Sequence, residues 1–147
     1  MPAKILDGQL ISQKIRYAIA NEITLRSNNN LPKPGLAVIL VGEDPASQIY
    51  VKNKQLAAKE AGMISKTYNL PLLSKQQELL AIINSLNTDP EIDGILVQLP
   101  LPKHINSQEI LACIDPNKDV DGFHALSCGK LWQGDATFHP CTPAGIM

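Results

Sequence analysis

The chain has 147 residues, 13 Lys+Arg against 14 Asp+Glu, and a net charge of −1. At 44% hydrophobic and 18% charged, it is no disordered chain, and its length suits one domain with a substantial core. The near-neutral balance leaves no electrostatic footprint for nucleic acid or an acidic membrane surface, and apolar runs such as 36–41 are too short to span a bilayer.

In chain order, the opening Met1-Pro2-Ala3-Lys4 runs into mixed polar sequence and is not expected to act as a signal peptide. Asp7 or Gly8 can cap a first helix reaching to about Ser27, with Leu10, Ile11, Ile15, Ala18, Ile19 and Ile23 at helical spacing. A turn-rich break over 28–35 precedes Leu36-Ala37-Val38-Ile39-Leu40-Val41, a continuous apolar run that predicts a strand buried on both faces. Pro45 and Gly62 bracket a helix from about Ala46 to Ala61.

The pattern then repeats. A weaker strand covers 65–70, a helix runs from Lys75 to Leu86, and Gly94 to Leu99 forms a second buried strand stopped by Pro100 and Pro102. A short helix is expected around Gln108 to Ile114, and Thr142-Pro143 reads as another helix start near the end. Alternating helices and strands predict an α/β fold, a three-layer sandwich around a mainly parallel sheet. A chain that stops one turn into an element is expected to be a truncated piece of a longer polypeptide.

Three constellations are candidates for chemistry. On the second helix Tyr50 and Lys54 lie about 40° apart on one face, with Ser47 on the same stripe. A Lys beside apolar surface loses hydration and becomes usable in proton transfer, and a Tyr one turn away offers a ring to a flat ligand. The same letters also fit a surface helix with solvated lysines. Tyr-x-x-x-Lys is shared with short-chain dehydrogenases, but those need a glycine-rich turn far upstream. Here only 49 residues precede Tyr50, and no two of the nine glycines are two apart.

The second constellation is Gln98, a polar residue at the carboxyl end of an apolar strand, where ligands of open α/β sheets bind. Lys54 or a ligand can satisfy its amide there, and a water at the sheet edge can do the same. The third is the turn 115–124, which presents Asp119 and Asp121. Asn117, Asp119, Asp121 and Gly122 imitate an EF-hand, but the twelfth position falls on Cys128, so a calcium loop is rejected. A carboxylate at such a turn can accept paired N–H donors from an aminopyrimidine-like ring, and equally can be a solvated Asx turn.

Single residues carry less. His104, His124 and His139 lack metal-ligand spacing and read as surface or turn residues. Cys113, Cys128 and Cys141 fit neither a disulfide framework nor a zinc site and point to a reducing cytoplasm. Cys141 is expected to be small and partly buried, and Trp132 to pack.

Taken in order, the segments Val41-Gly42-Glu43-Asp44-Pro45-Ala46-Ser47-Gln48-Ile49-Tyr50-Val51-Lys52-Asn53-Lys54, Val97-Gln98-Leu99-Pro100-Leu101-Pro102, Lys118-Asp119-Val120-Asp121-Gly122-Phe123 and Pro140-Cys141-Thr142-Pro143-Ala144-Gly145 closely resemble the FolD family. These are bifunctional methylenetetrahydrofolate dehydrogenases and methenyltetrahydrofolate cyclohydrolases. The resemblance implies a reactive amine at Lys54, a folate-stacking ring at Tyr50, a Lys-supporting amide at Gln98 and a pterin-binding carboxylate at Asp121. It also implies substrate-binding positions at Ser47, Val97, Leu99 and Cys141.

It covers the family's amino-terminal catalytic domain, expected over 1–139, with 140–147 as the start of an interdomain helix. NADP, the family's cofactor, is expected on a Rossmann domain outside these residues. The partners implied are a tetrahydrofolate derivative and, for the full-length enzyme, a second copy. The dimer contact is expected outside this segment, which leaves a monomer open for it. A non-catalytic folate-binding module is the alternative reading.

Overall fold

The computed structural model describes residue 5 and residues 7–147, and the opening Met1-Pro2-Ala3-Lys4 lies outside them. Local chemistry sets most of the element starts. Helix α1 (Gly8–Asn28) is capped by Asp7, whose carboxylate accepts the Leu10 N–H at 3.0 Å. Strand β1 (Gly35–Val41) follows, then α2 (Pro45–Glu60), capped by Asp44 with Pro45 in its first turn. The chain continues through β2 (Ile64–Leu70), α3 (Gln76–Thr88) and β3 (Gly94–Val97). It closes with α4 (Ser107–Ala112), α5 (Ala125–Trp132) and α6 (Cys141–Ile146).

The three strands are parallel in the order β2-β1-β3, with Val38 opposite Thr67 on one side and Leu96 on the other. Because side chains alternate along a strand, β1 feeds two cores. Ala37, Ile39 and Val41 meet Leu79, Ile83, Leu86 and Ile110 of α3 and α4, while Val38 and Leu40 meet Val51 of α2. The result is the expected helix–sheet–helix sandwich. Gly35 is required at the start of β1, since a Cβ there would sit 1.8 Å from the Glu91 carbonyl oxygen.

Several expectations need correction. The second buried strand ends at Val97 rather than Leu99, although the Gln98 N–H continues the ladder by one bond to Ile39 O at 2.9 Å. Helix α5 was not expected at all. It is capped by His124, whose ring nitrogen accepts the Leu126 N–H, and it buries none of its residues. Trp132 at its end is 93% exposed and does not pack. The last helix starts at Cys141, with Pro143 inside its first turn, rather than after a Thr142 cap. Helix α1 forms as predicted, but of its apolar stripe only Ile23 is buried.

Candidate functional site

Helix α2 lies along the thinly covered face of the sheet and projects Tyr50 and Lys54 to one side of itself. The Lys54 ammonium sits 4.5 Å from the Tyr50 ring centroid, a cation–π contact that the one-turn spacing makes possible. Both line a cavity of about 400 Å³ whose other walls include Asp121 on the loop between α4 and α5 and Cys141 on α6. Three segments far apart in sequence therefore meet at one place. Its floor is apolar, formed by Leu36 and Leu96 of the sheet together with Met63 and Val120.

Burial holds the Lys54 pKa below the ordinary lysine value, with the charges of Asp121 and Cys141 pulling it back up. Burial also lifts the Asp121 carboxyl above the usual carboxylate range; Lys54 opposes that rise and Asp119 adds to it. An amine and an acid are thus each pushed toward their neutral forms while facing one another across a cavity, the kind of poise that proton-transfer sites use.

The other predicted residues stand elsewhere. Ser47 is buried in the first turn of α2, its N–H donating to Asp44 Oδ2 at 2.8 Å, and it does not line the cavity. Val97 turns its side chain into the core shared with α3 and α4, on the opposite face of the sheet from α2. Leu99 is half-buried, in cis peptide linkage to Pro100. The amide of Gln98 donates to Leu99 O at 2.7 Å rather than meeting Lys54, and its Oε1 is buried with no partner. Cys141 is exposed rather than partly buried, and it lines the cavity.

A groove of about 620 Å³ lies on the other flank of α2, lined by Gln48, Lys52, Gln55, Thr67 and Asn69 among others. It is larger, but no Tyr–Lys pair or raised carboxyl lies in it, and Gln55 already hydrogen-bonds Thr67 across it. Among the described residues no group of three or more His, Cys, Asp or Glu side chains is placed to hold a metal ion, and no helix is long and apolar enough to cross a membrane.

A model of the tetrahydrofolate dehydrogenase/cyclohydrolase catalytic domain matches residues 6–121. The chain belongs to that family. It is 53% identical over 145 residues to the bifunctional protein FolD of Dichelobacter nodosus, covering 99% of this chain and 50% of that protein. The crystal structure of the FolD enzyme from Campylobacter jejuni superposes with a TM-score of 0.93 at 47% identity, over 98% of this chain and 51% of that one. The Trypanosoma brucei family member, solved with NADP and an inhibitor, gives 0.94 at 32% identity, over all of this chain and 51% of its own. The chain thus spans about half the length of these family members.

Sequence reasoning missed Phe123, Met63, Leu36 and Leu96 as cavity-lining residues. Strand parity groups two of them together without saying which face they take. Leu36 and Leu96 share the strand parity of Val38 and so face α2, whereas nothing local announces Met63 or Phe123.

Proposed function

We propose that the cavity between α2 and the 118–123 loop binds a tetrahydrofolate derivative and that Lys54 moves a proton there. The chain would supply the folate side of an enzyme that oxidises 5,10-methylenetetrahydrofolate and hydrolyses the methenyl product to 10-formyltetrahydrofolate. The observation that carries this reading is the convergence of Tyr50, Lys54 and Asp121 on one cavity, with the amine stacked on the ring at 4.5 Å. On this reading residues 1–139 form the folate-binding catalytic unit, and 140–147 begin the helix that leads out of it.

Hydrolysis needs water delivered to an amidinium-like carbon, then a proton delivered to the departing ring nitrogen. An amine whose charge burial disfavours can take the water's proton and return it. The buried, unpartnered Oε1 of Gln98 is an acceptor available to orient such an amine. Tyr50, 53% exposed, has ring surface to spare for a flat ligand. Asp121, half-buried in the cavity wall, can accept the paired N–H groups of a pterin. Ser47, Val97 and Leu99 then act by shaping the helix and strand that present these groups, and Cys141 by lining the cavity.

NADP, which supplies the hydride acceptor for the oxidation, does not fit the residues present. The turn after β1 reads Gly42-Glu43-Asp44-Pro45, and the Asp44 carboxylate caps α2 where a pyrophosphate would need bare N–H groups. No hydride step is therefore derived from this chain. The same reading assigns the protein to the cytoplasm, in keeping with three free cysteines, and the full-length enzyme to a homodimer.

The test is the decay of methenyltetrahydrofolate absorbance. The chain is expected to accelerate it above the spontaneous rate, and Lys54→Gln to remove about 10²–10⁴-fold of that acceleration. Full retention by Lys54→Gln would assign the proton transfer elsewhere. Folate binding with no acceleration by the unaltered chain would make this a non-catalytic folate-binding module.

A further inference from the structure

Asp119 and Asp121 stand two residues apart and have opposite surroundings. Asp121 faces the cavity, whereas Asp119 is 1% exposed and turned inward. The two oxygens of Asp119 accept from consecutive backbone N–H groups, Oδ1 from Phe123 at 3.3 Å and Oδ2 from His124 at 2.9 Å. Its backbone carbonyl accepts the Gly122 N–H at 3.3 Å, and it bridges Ile95 of β3. One residue thus ties down both ends of the segment that has Asp121 at its apex.

The neighbours reinforce the same geometry. The Lys118 ammonium donates to Leu86 O and Asp89 O, each at 2.8 Å, so the loop's entry is fixed to the end of α3. Val120 fills the space left by Gly94, where a Cβ would sit 2.5 Å from its Cγ1. Gly122 has φ +69°, and a Cβ there would press the Pro140 ring at 3.1 Å.

We infer that Asp119 is a positioning residue for the folate site: its carboxylate clamps the Phe123 and His124 amides and so aims Asp121 into the cavity opposite Lys54. It touches no ligand and acts through Asp121. Two bonds from one buried carboxyl group to consecutive amides suit a loop that has no helix or strand of its own to hold it. The ligand half of this inference rests on the folate reading above; the geometric half does not.

A double-mutant cycle tests it on the 147-residue chain, with 5-formyltetrahydrofolate as the probe because it is not turned over. Asp119→Ala is expected to weaken binding about tenfold, the loss of a buried pair of hydrogen bonds, and Asp119→Asn to lose less because its carbonyl oxygen still accepts. In an Asp121→Asn background, Asp119→Ala is expected to add less than about twofold, since coupled residues are not additive. Equal losses in both backgrounds would show a general scaffold role and overturn the inference.

A second readout needs no ligand. Asp121 is faced by Lys54 and Tyr50 from α2, by Cys141 from α6 and by Asp119 from its own loop, and its carboxyl titration is followed by carbon-13 NMR. Lys54→Met is expected to raise the Asp121 midpoint in the unaltered chain, because Lys54 opposes that rise, and to move it much less in an Asp119→Ala background, where Asp121 is no longer aimed at Lys54. A Lys54→Met rise of equal size in both backgrounds overturns the positioning role, even if the unaltered chain binds no folate and the function proposed above fails.

Discussion

The two faces of the sheet are made by the same three strands, yet they are covered very differently. Toward α3 and α4, twelve buried apolar residues form one continuous cluster. Toward α2 the buried cluster has four, Val38, Leu40, Val51 and Leu96, and cavities of about 620 and 400 Å³ open on the flanks of the helix. The thick face supplies cohesion through area removed from water. The thin face leaves room for a ligand and places an amine where dehydration costs stability. The candidate site was put where the core could be spared, the usual exchange of stability for activity.

Truncation on the thick face breaks the comparison most severely. Ile83→Ala, at a fully buried position, is expected to cost about 2–5 kcal/mol in urea unfolding, and Leu40→Ala on the thin face to fall at the low end of that range. Similar losses at both positions would mean that the faces are equally cohesive.

Gly94→Ala comes next, at about 1–3 kcal/mol, because the new methyl meets Val120 and the loop must yield. On the folate reading proposed above, binding should fall with it, as Asp121 is carried away from Lys54. A variant that unfolds earlier yet binds unchanged would uncouple the strand from the loop.

Lys54→Met sharpens the contrast from the other side. Burial depresses the pKa of Lys54, so its charged form is less favoured in the fold than in the unfolded chain. The unaltered protein therefore gains stability as pH rises through that depressed value. Lys54→Met should remove this alkaline gain and leave the neutral-pH urea midpoint equal or higher, and on the function proposed above it should also abolish methenyl hydrolysis. A midpoint that drops would show that the ring contact outweighs the dehydration.

The smallest expected effect lies at the surface. Asp89 is held below the usual carboxylate range by the Glu91 N–H and by Lys66, whose ammonium lies 3.1 Å from it. Its contribution is present at neutral pH and disappears as pH falls through the depressed value. Asp89→Asn should flatten that acid limb slightly and leave the Tyr50–Lys54 cavity untouched. An acid limb of unchanged steepness would place the acid sensitivity elsewhere.

How much of this was legible varied with how local the cause is. Caps at Asp7 and Asp44 act within three residues, and the helices they start were readable. The Tyr50–Lys54 contact follows from helical pitch alone. Helix α5 was not readable because none of its side chains is buried, and without a buried face no apolar periodicity is required of it. The same absence left Trp132 in solvent.

The amino-acid order by itself determined the α/β class, the two strongly apolar strands, the pairing of a phenol with an amine, and the family resemblance, because each depends on neighbours within a few residues or on ordered motifs. Tertiary structure alone decided that Leu96 faces α2 while Val97 faces away, that Gln98 turns to Leu99, and that of two nearby aspartates one clamps the loop and the other faces the cavity. In a strand apolar at every position, and in a loop with acids two apart, the letters do not say which side is which. That choice is made by the partners each side chain meets across the fold.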